Sequence, residues 1–144
     1  MAEVKQTPQP FQPGFRLIDG SALNAVNAVE VLASDDGLTA STVQTRAGGA
    51  AITLPITRVS AATSSDAVTL GGAGAVVAPG TIFYIANKSG QTIQVFPPGA
   101  NDKIDGGAVG AAVNLGNAKI GLYIVSANIG GVLTINSGGM AVSS

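Results

Sequence analysis

The stretch PGTIFYIANKSGQTIQVFPPGANDKIDGG, residues 79–107, decides the expected fold of this 144-residue chain. Two short runs rich in β-branched and aromatic residues, 81–86 and 91–96, flank the tetrapeptide NKSG at 87–90. Asn and Gly tolerate the positive φ angles that tight turns between strands require. The stretch therefore predicts a β-hairpin, and the proline-rich segment at 97–107 predicts an exposed loop.

The same pattern continues on both sides of this stretch. Ile52, Leu54 and Ile56 fall at every second position, the spacing of residues on one face of a strand. Short β-type runs separated by glycine-containing turns are typical of antiparallel sandwiches and barrels. We therefore expect an all-β fold, an antiparallel β-sandwich of about eight strands with a jelly roll as its natural closure. Further strands are predicted at 111–115, 120–127 and 132–136.

The length of the chain is that of a single domain. We divide it into an extended N-terminal arm (1–15), a β domain (16–137) and a C-terminal tail (138–144) that is flexible or docked. Within the domain, residues 16–33 fit either a short helix capped by Ser21 or the first strands, and we prefer the strands.

The arm is expected to be extended because Pro8, Pro10 and Pro13 follow one another closely. Phe11 and Phe15 are the aromatic residues of this segment, in a chain with only 4% aromatic residues. Aromatic side chains on an extended arm suit a groove on another subunit. The alternative is a tail that folds back on its own domain.

The composition of the chain is unusually neutral. Charged residues make up 10% of the sequence and the net charge is −1, whereas a globular chain carries roughly 25% charged residues. Little charge opposes association, so the surface suits a protein covered by neighbours, although a small β domain with a modest surface would also fit. The seven Lys and Arg residues are scattered, so we expect no nucleic-acid partner.

The sequence offers no set of residues for catalysis or for a cofactor. Cys and His are both absent, which removes thiolate metal sites, disulfides and the commonest general base. The glycine-rich stretch 71–80 lacks the Gly-Lys-Ser/Thr of a phosphate loop, and NDKIDG at 101–106 places Lys103 where a calcium loop needs an oxygen ligand. We expect no catalytic residue, no cofactor and no metal, and therefore not an enzyme.

Targeting signals are also missing from the sequence. The N-terminus has no basic start followed by an apolar core, and no apolar run approaches the roughly 20 residues of a membrane helix. We expect a protein made in the cytoplasm, without a membrane partner, and either used there or released by lysis rather than secretion.

One segment resembles a known family. Residues 78–107 followed by VNLGNAKIGLYIVSA at 113–127 resemble a segment that recurs in small structural proteins of tailed bacteriophages, which look like capsid decoration, or cement, proteins. The resemblance covers about a third of the chain. Many such segments end in a strand with a tryptophan, whereas this chain has none and continues as NIGGVLTINSGG at 128–139.

The resemblance implies a β-sandwich or jelly roll, a homo-oligomer at a local symmetry axis and termini that reach onto the major capsid protein. We expect a structural virion protein that binds the outer surface of an icosahedral phage capsid and cements neighbouring capsomers. Its partners would be the major capsid protein of the same phage and itself, a homodimer being preferred over a trimer. The expected capsid or subunit contacts are Phe11, Pro13, Phe15, Arg16, Pro97, Pro98, Asn101, Asp102 and Lys103.

The alternative is a phage head- or tail-fibre module that binds a host receptor or glycan. Tyr84 and Tyr123 lie in predicted strands and would be the residues that stack on a sugar. Two tyrosines without a tryptophan make a poor sugar site, and side chains of this kind more often belong to a core or an interface.

Overall fold

The structure is a computed structural model that describes residues 33–141. The expected arm and the stretch 16–33, apart from its last residue, lie outside this range. Residues 33–141 contain no α-helix, so the all-β prediction is confirmed, and none of their segments is a helix that could cross a membrane. Their strands are β1 (Ser34–Thr39), β2 (Ala50–Ile52), β3 (Ile56–Ala61), β4 (Ala67–Leu70), β5 (Ile82–Asn87), β6 (Ile93–Phe96), β7 (Lys103–Ile104), β8 (Val113–Leu115), β9 (Lys119–Ile129) and β10 (Val132–Ala141).

The first six strands alternate between two sheets. A six-stranded sheet has the order β1-β3-β5-β9-β10-β7, and a four-stranded sheet has the order β2-β4-β6-β8. Strands β1, β3 and β5 are parallel to one another, and so are β2, β4 and β6. The chain therefore winds as a coil in which each turn gives one strand to each sheet.

The later strands close this coil with mostly antiparallel pairs. Strand β9 pairs with β5 and β10 pairs with β9, while β8 pairs with β6. The short β7 lies parallel to β10. Strand β10 continues through Ala141 in register with β9, so residues 138–141 of the expected tail belong to a strand.

The pairing differs from the antiparallel arrangement that we expected. The predicted hairpin is wrong, because β5 belongs to the six-stranded sheet and β6 to the four-stranded sheet. The sequence pattern located both strands and the turn between them. It could not report the pairing, because a turn rich in Asn and Gly can join two sheets as well as two neighbouring strands.

Asn87 forms the corner between the two sheets. Its side chain is fully buried, and Nδ2 donates to the carbonyl oxygens of Gln91 at 2.7 Å and Leu115 at 2.9 Å. Its Oδ1 accepts hydrogen bonds from the backbone N–H of Ser89 at 3.1 Å and from the Ser89 hydroxyl at 2.7 Å. One amide thus ties the end of β5 to the segment that leads into β6 and to the end of β8.

One cluster of buried apolar side chains draws on both sheets. Val59 and Ile85 come from the six-stranded sheet, and Val68, Ile93 and Val95 come from the four-stranded sheet. All five are fully buried. Burial of this kind is the dominant favourable contribution to folding, so the two sheets stabilise each other.

The loop between β1 and β2 covers the outer side of β4, whose residues are all buried. The Thr69 hydroxyl donates to the carbonyl oxygen of Arg46 at 2.8 Å. A Cβ atom added at Gly49 would lie 2.5 Å from the Thr69 Oγ1 atom, so only glycine allows this approach. The loop therefore packs on β4 of the four-stranded sheet.

Tyr123 points into the protein from β9 and is 2% exposed. Its ring lies over Gly121, where an added Cβ atom would come within 2.7 Å of Cε2 of the ring. Burial raises the pKa of the Tyr123 hydroxyl above its ordinary value, and the Asp105 carboxylate raises it further. The side chain is therefore a neutral part of the core and not part of a sugar-binding platform.

Replacing Asn87 by alanine should destabilise the fold strongly. The change leaves the carbonyl oxygens of Gln91 and Leu115 without these donors, and we expect the free energy of unfolding to fall by about 2–4 kcal/mol. Chemical denaturation measures the effect. The control is Asn114→Ala on the exposed side of β8, which should change stability by less than about 0.5 kcal/mol. Equal effects of the two changes would contradict the corner role of Asn87.

Two glycines in neighbouring strands should respond differently to alanine. Gly121→Ala forces a methyl group against the Tyr123 ring and should lower the free energy of unfolding by about 1–3 kcal/mol. Gly138→Ala places its methyl group in open space and should be neutral or stabilise the strand by a few tenths of a kcal/mol or more. Thermal unfolding of both variants tests this, and a loss of stability in Gly138→Ala alone would refute the packing described for Tyr123.

Candidate binding surface

The proline-rich segment 97–107, which we expected to be an exposed loop, is exposed at 100–101 and 105–107, but it is buried at its prolines and contains β7. Pro97 and Pro98 are both buried. The carbonyl oxygen of Pro98 accepts a hydrogen bond from Arg46 Nη1 at 2.7 Å and another from the backbone N–H of Gly74 at 2.7 Å. The prolines serve as apolar packing surfaces here, and one carbonyl group joins three loops.

Asp102 fixes the same loop from its other end. The residue is 4% exposed, and its Oδ2 accepts the backbone N–H of Gly99 at 2.7 Å while Oδ1 accepts that of Leu133 at 2.8 Å. Its own carbonyl oxygen accepts the N–H of Gly110 at 2.8 Å. Asp102 therefore holds the loop on β10 and on the segment that leads into β8.

The predicted contact residues thus divide into three groups. Asn101 is exposed and Lys103 is half-buried in β7, so these two side chains reach solvent. Pro97, Pro98 and Asp102 are buried and support the loop. The remaining predicted contacts, Phe11, Pro13, Phe15 and Arg16, lie outside the described residues.

A pocket of about 260 Å3 lies beside Asp102. It is bounded by three segments that the fold brings to one end of the domain. The lining residues are 74–77, then Gly99 and Asp102 of the proline-rich loop, and Asn128, Gly131 and Leu133 of the β9–β10 hairpin.

One highly exposed apolar side chain lines this pocket, and two others belong to segments that contain or contact its lining residues. Val76 is 98% exposed and lines the pocket itself. Ile129 is 77% exposed and is the residue after Asn128, which lines the pocket. Val109 is 56% exposed and is the residue before Gly110, whose N–H donates to the carbonyl oxygen of Asp102. We call Val76, Val109, Ile129 and the pocket the end surface.

Sequence reasoning missed the end surface. Val76 and Val77 form a short apolar pair, and the structure places them in the loop between β4 and β5. The available signal was their position between GGAGA and APG, at 71–75 and 78–80. Glycine and proline so close on both sides leave no room for a paired strand.

A second apolar area lies on the outer side of the six-stranded sheet. Ile56 pairs with Tyr84, which pairs in turn with Leu122, and Ile82 pairs with Ile124. The three isoleucines are exposed, and Tyr84 and Leu122 are half-buried. We call these five residues the sheet face. Tyr84 lies on this face, whereas Tyr123 points to the opposite side of the sheet.

The charged residues at the margin of the sheet face neutralise each other. Arg58 Nε donates to the Asp36 carboxylate, and the two residues are partners in the β1–β3 register. This hydrogen bond and the accompanying charge attraction lower the pKa of Asp36 and raise the pKa of Arg58. The side chains are exposed, so the pair adds little stability, but it leaves no net charge at that margin.

Several polar groups of the described part are used in structure. Over residues 33–141, no group of three or more Asp, Glu, His or Cys residues could hold a metal ion. The buried Asp66 accepts from the backbone N–H of Thr63 at 2.6 Å and from its hydroxyl at 2.7 Å. The two apolar areas are the surfaces of residues 33–141 that we consider for a partner.

Comparison of the chain with protein-family models, with curated proteins and with solved structures gave no match. The resemblance to phage decoration proteins rests on residues 78–127. The geometry of the end surface and of the sheet face is therefore what bears on function.

Proposed function

We propose that the chain is a structural virion protein that binds the outer surface of an icosahedral phage capsid and cements neighbouring capsomers. The observation that carries the proposal is the end surface, where Val76, 98% exposed, lines a pocket, and where Ile129 and Val109 are exposed in segments that contain or contact its lining residues. Exposed apolar side chains beside a pocket are features of protein interaction sites. In this proposal the major capsid protein of the same phage covers the end surface.

The rigidity of the end surface supports this role. The carbonyl group of Pro98 and the carboxylate of Asp102 hold its loops through hydrogen bonds of 2.7 to 2.8 Å. A surface that is already ordered loses little conformational entropy when it binds. Repeated attachment of many copies to a shell can then rely on a modest interface for each copy.

The sheet face supports a homodimer, which we prefer over a trimer. The sheet face lies on β3, β5 and β9. Three strands spaced by about 4.8 Å and about 20 Å long give a face of roughly 300 Å2, well below the roughly 800 Å2 that each partner buries in a standard interface. A two-fold axis would place the same apolar patch of each copy against the other without like-charge repulsion. We therefore expect a weak dimer in solution that becomes stable on the shell.

We also propose that the two sheets pack together as a β-sandwich. The two sheets draw on one core, which is compatible with the sandwich that the resemblance implies. The parallel pairs of β1 to β6 fit a jelly roll imperfectly, so the proposal relies on the surfaces and not on jelly-roll closure.

A charge placed on the end surface should weaken attachment to the shell. We expect Val76→Asp combined with Ile129→Asp to reduce shell affinity by at least about tenfold, because carboxylates would be desolvated in an apolar interface. Co-sedimentation with mature shells, at low and high salt, measures the binding. The wild-type protein should saturate the shells at both salt concentrations, since apolar contacts are insensitive to screening.

The matched control is Val43→Asp, which changes another exposed valine. Val43 is 54% exposed and lies near the opposite end of β4, where Ser41 bridges to Ala67. This variant should bind shells like the wild-type protein. Wild-type binding by the double variant would contradict the proposal, and sparse binding at a few sites per shell would favour the fibre module.

A further inference from the structure

Asp102, which lines the pocket of the end surface, carries a buried carboxylate group that can accept further hydrogen bonds. A carboxylate offers about four lone-pair sites, and the oxygens of Asp102 accept one hydrogen bond each, from Gly99 and Leu133. Both donors are neutral backbone groups. Asp66 is buried to a similar extent but is not among the residues that line the pocket.

The negative charge of Asp102 has no cationic partner within the described residues. The ion pair found in residues 33–141 joins Arg58 to Asp36, on the six-stranded sheet. A carboxylate held away from water gains free energy when a cation approaches with good hydrogen-bond geometry. The pocket therefore favours a positively charged occupant over a neutral one.

The size and the walls of the pocket restrict the occupant further. Its volume of about 260 Å3 is below the roughly 300–1,000 Å3 of small-molecule sites, which suits one side chain. The walls include Ala75, Val77 and Leu133, which are apolar and suit a chain of methylene groups. A calcium ion would need six to eight oxygen ligands, whereas one carboxylate lines this pocket.

We infer that the pocket receives a lysine side chain of the partner protein. The ammonium group would donate to the free lone pairs of the Asp102 carboxylate, and the stem would pack on Val77 and Leu133. We prefer lysine because its compact ammonium group and flexible stem need no bidentate alignment with a carboxylate whose oxygens each already accept one backbone hydrogen bond. The identity of the partner as a capsid protein rests on the proposed function, but the chemistry of the pocket does not.

The test is an NMR titration of the full chain with two probes that differ in charge. Nα-acetyl-lysine methylamide should shift the backbone amide signals of Val76, Val77, Gly131 and Leu133. Nα-acetyl-norleucine methylamide, which has the same stem without the ammonium group, should bind roughly tenfold more weakly, the effect of one hydrogen bond to a charged group. Equal affinities, or shifts confined to other residues, would overturn the inference.

Two alanines of one loop provide matched variants. Ala75→Leu places a larger side chain in the pocket and should abolish binding of the lysine probe, whereas Ala73→Leu changes an exposed residue outside the pocket and should not. The dispersion of the amide spectrum shows whether each variant is folded. The comparison of the two probes on the wild-type chain decides the question if Ala75→Leu does not fold.

Shell binding separates this inference from the proposed function. Ala75→Leu should reduce co-sedimentation with shells if the lysine belongs to the capsid protein. Suppose that Ala75→Leu binds shells fully while the Val76 and Ile129 double variant does not bind them. That result would overturn the assignment of the lysine to the capsid protein and would leave the proposed cement function standing.

Discussion

The fully buried side chain of Asn87 is the interaction on which the arrangement of the two sheets depends. Its amide bonds to Gln91, Leu115 and Ser89 satisfy the polar groups of a corner from which water is excluded. An unsatisfied amide at this depth would cost several times the gain of one hydrogen bond. The corner therefore directs the chain from one sheet into the other instead of back along the same sheet.

The parallel coil that follows from this corner also explains why the end surface exists. Equivalent loops of parallel strands emerge at the same end of a sheet, so those after β4 and β6 lie side by side. The carbonyl group of Pro98 then joins the loop of Gly74 to the loop of Arg46, and Asp102 adds the β9–β10 hairpin. Binding would thus depend on several loops that the core holds in place.

Sequence reasoning located strands well where burial alternates, and it failed where contacts are long-range. The run 81–86 corresponds closely to β5, and 120–127 lies inside β9. Apart from the β9–β10 hairpin, the membership of a strand in a sheet depends on partners about 20 residues or more away, which local patterns do not encode. The burial of Pro98 and Asp102 was missed for the same reason, because Arg46 lies in a distant loop and Leu133 in a distant strand.

The most direct test of this account is a measurement of scalar couplings across backbone hydrogen bonds by NMR. The account predicts couplings from the amide of Tyr84 to the carbonyl of Pro55 and from the amide of Lys88 to the carbonyl of Val59, which correspond to bonds of 2.7 and 2.9 Å. Couplings from these amides to carbonyl groups in 91–96 would mean that β5 and β6 form a hairpin, and would contradict the account.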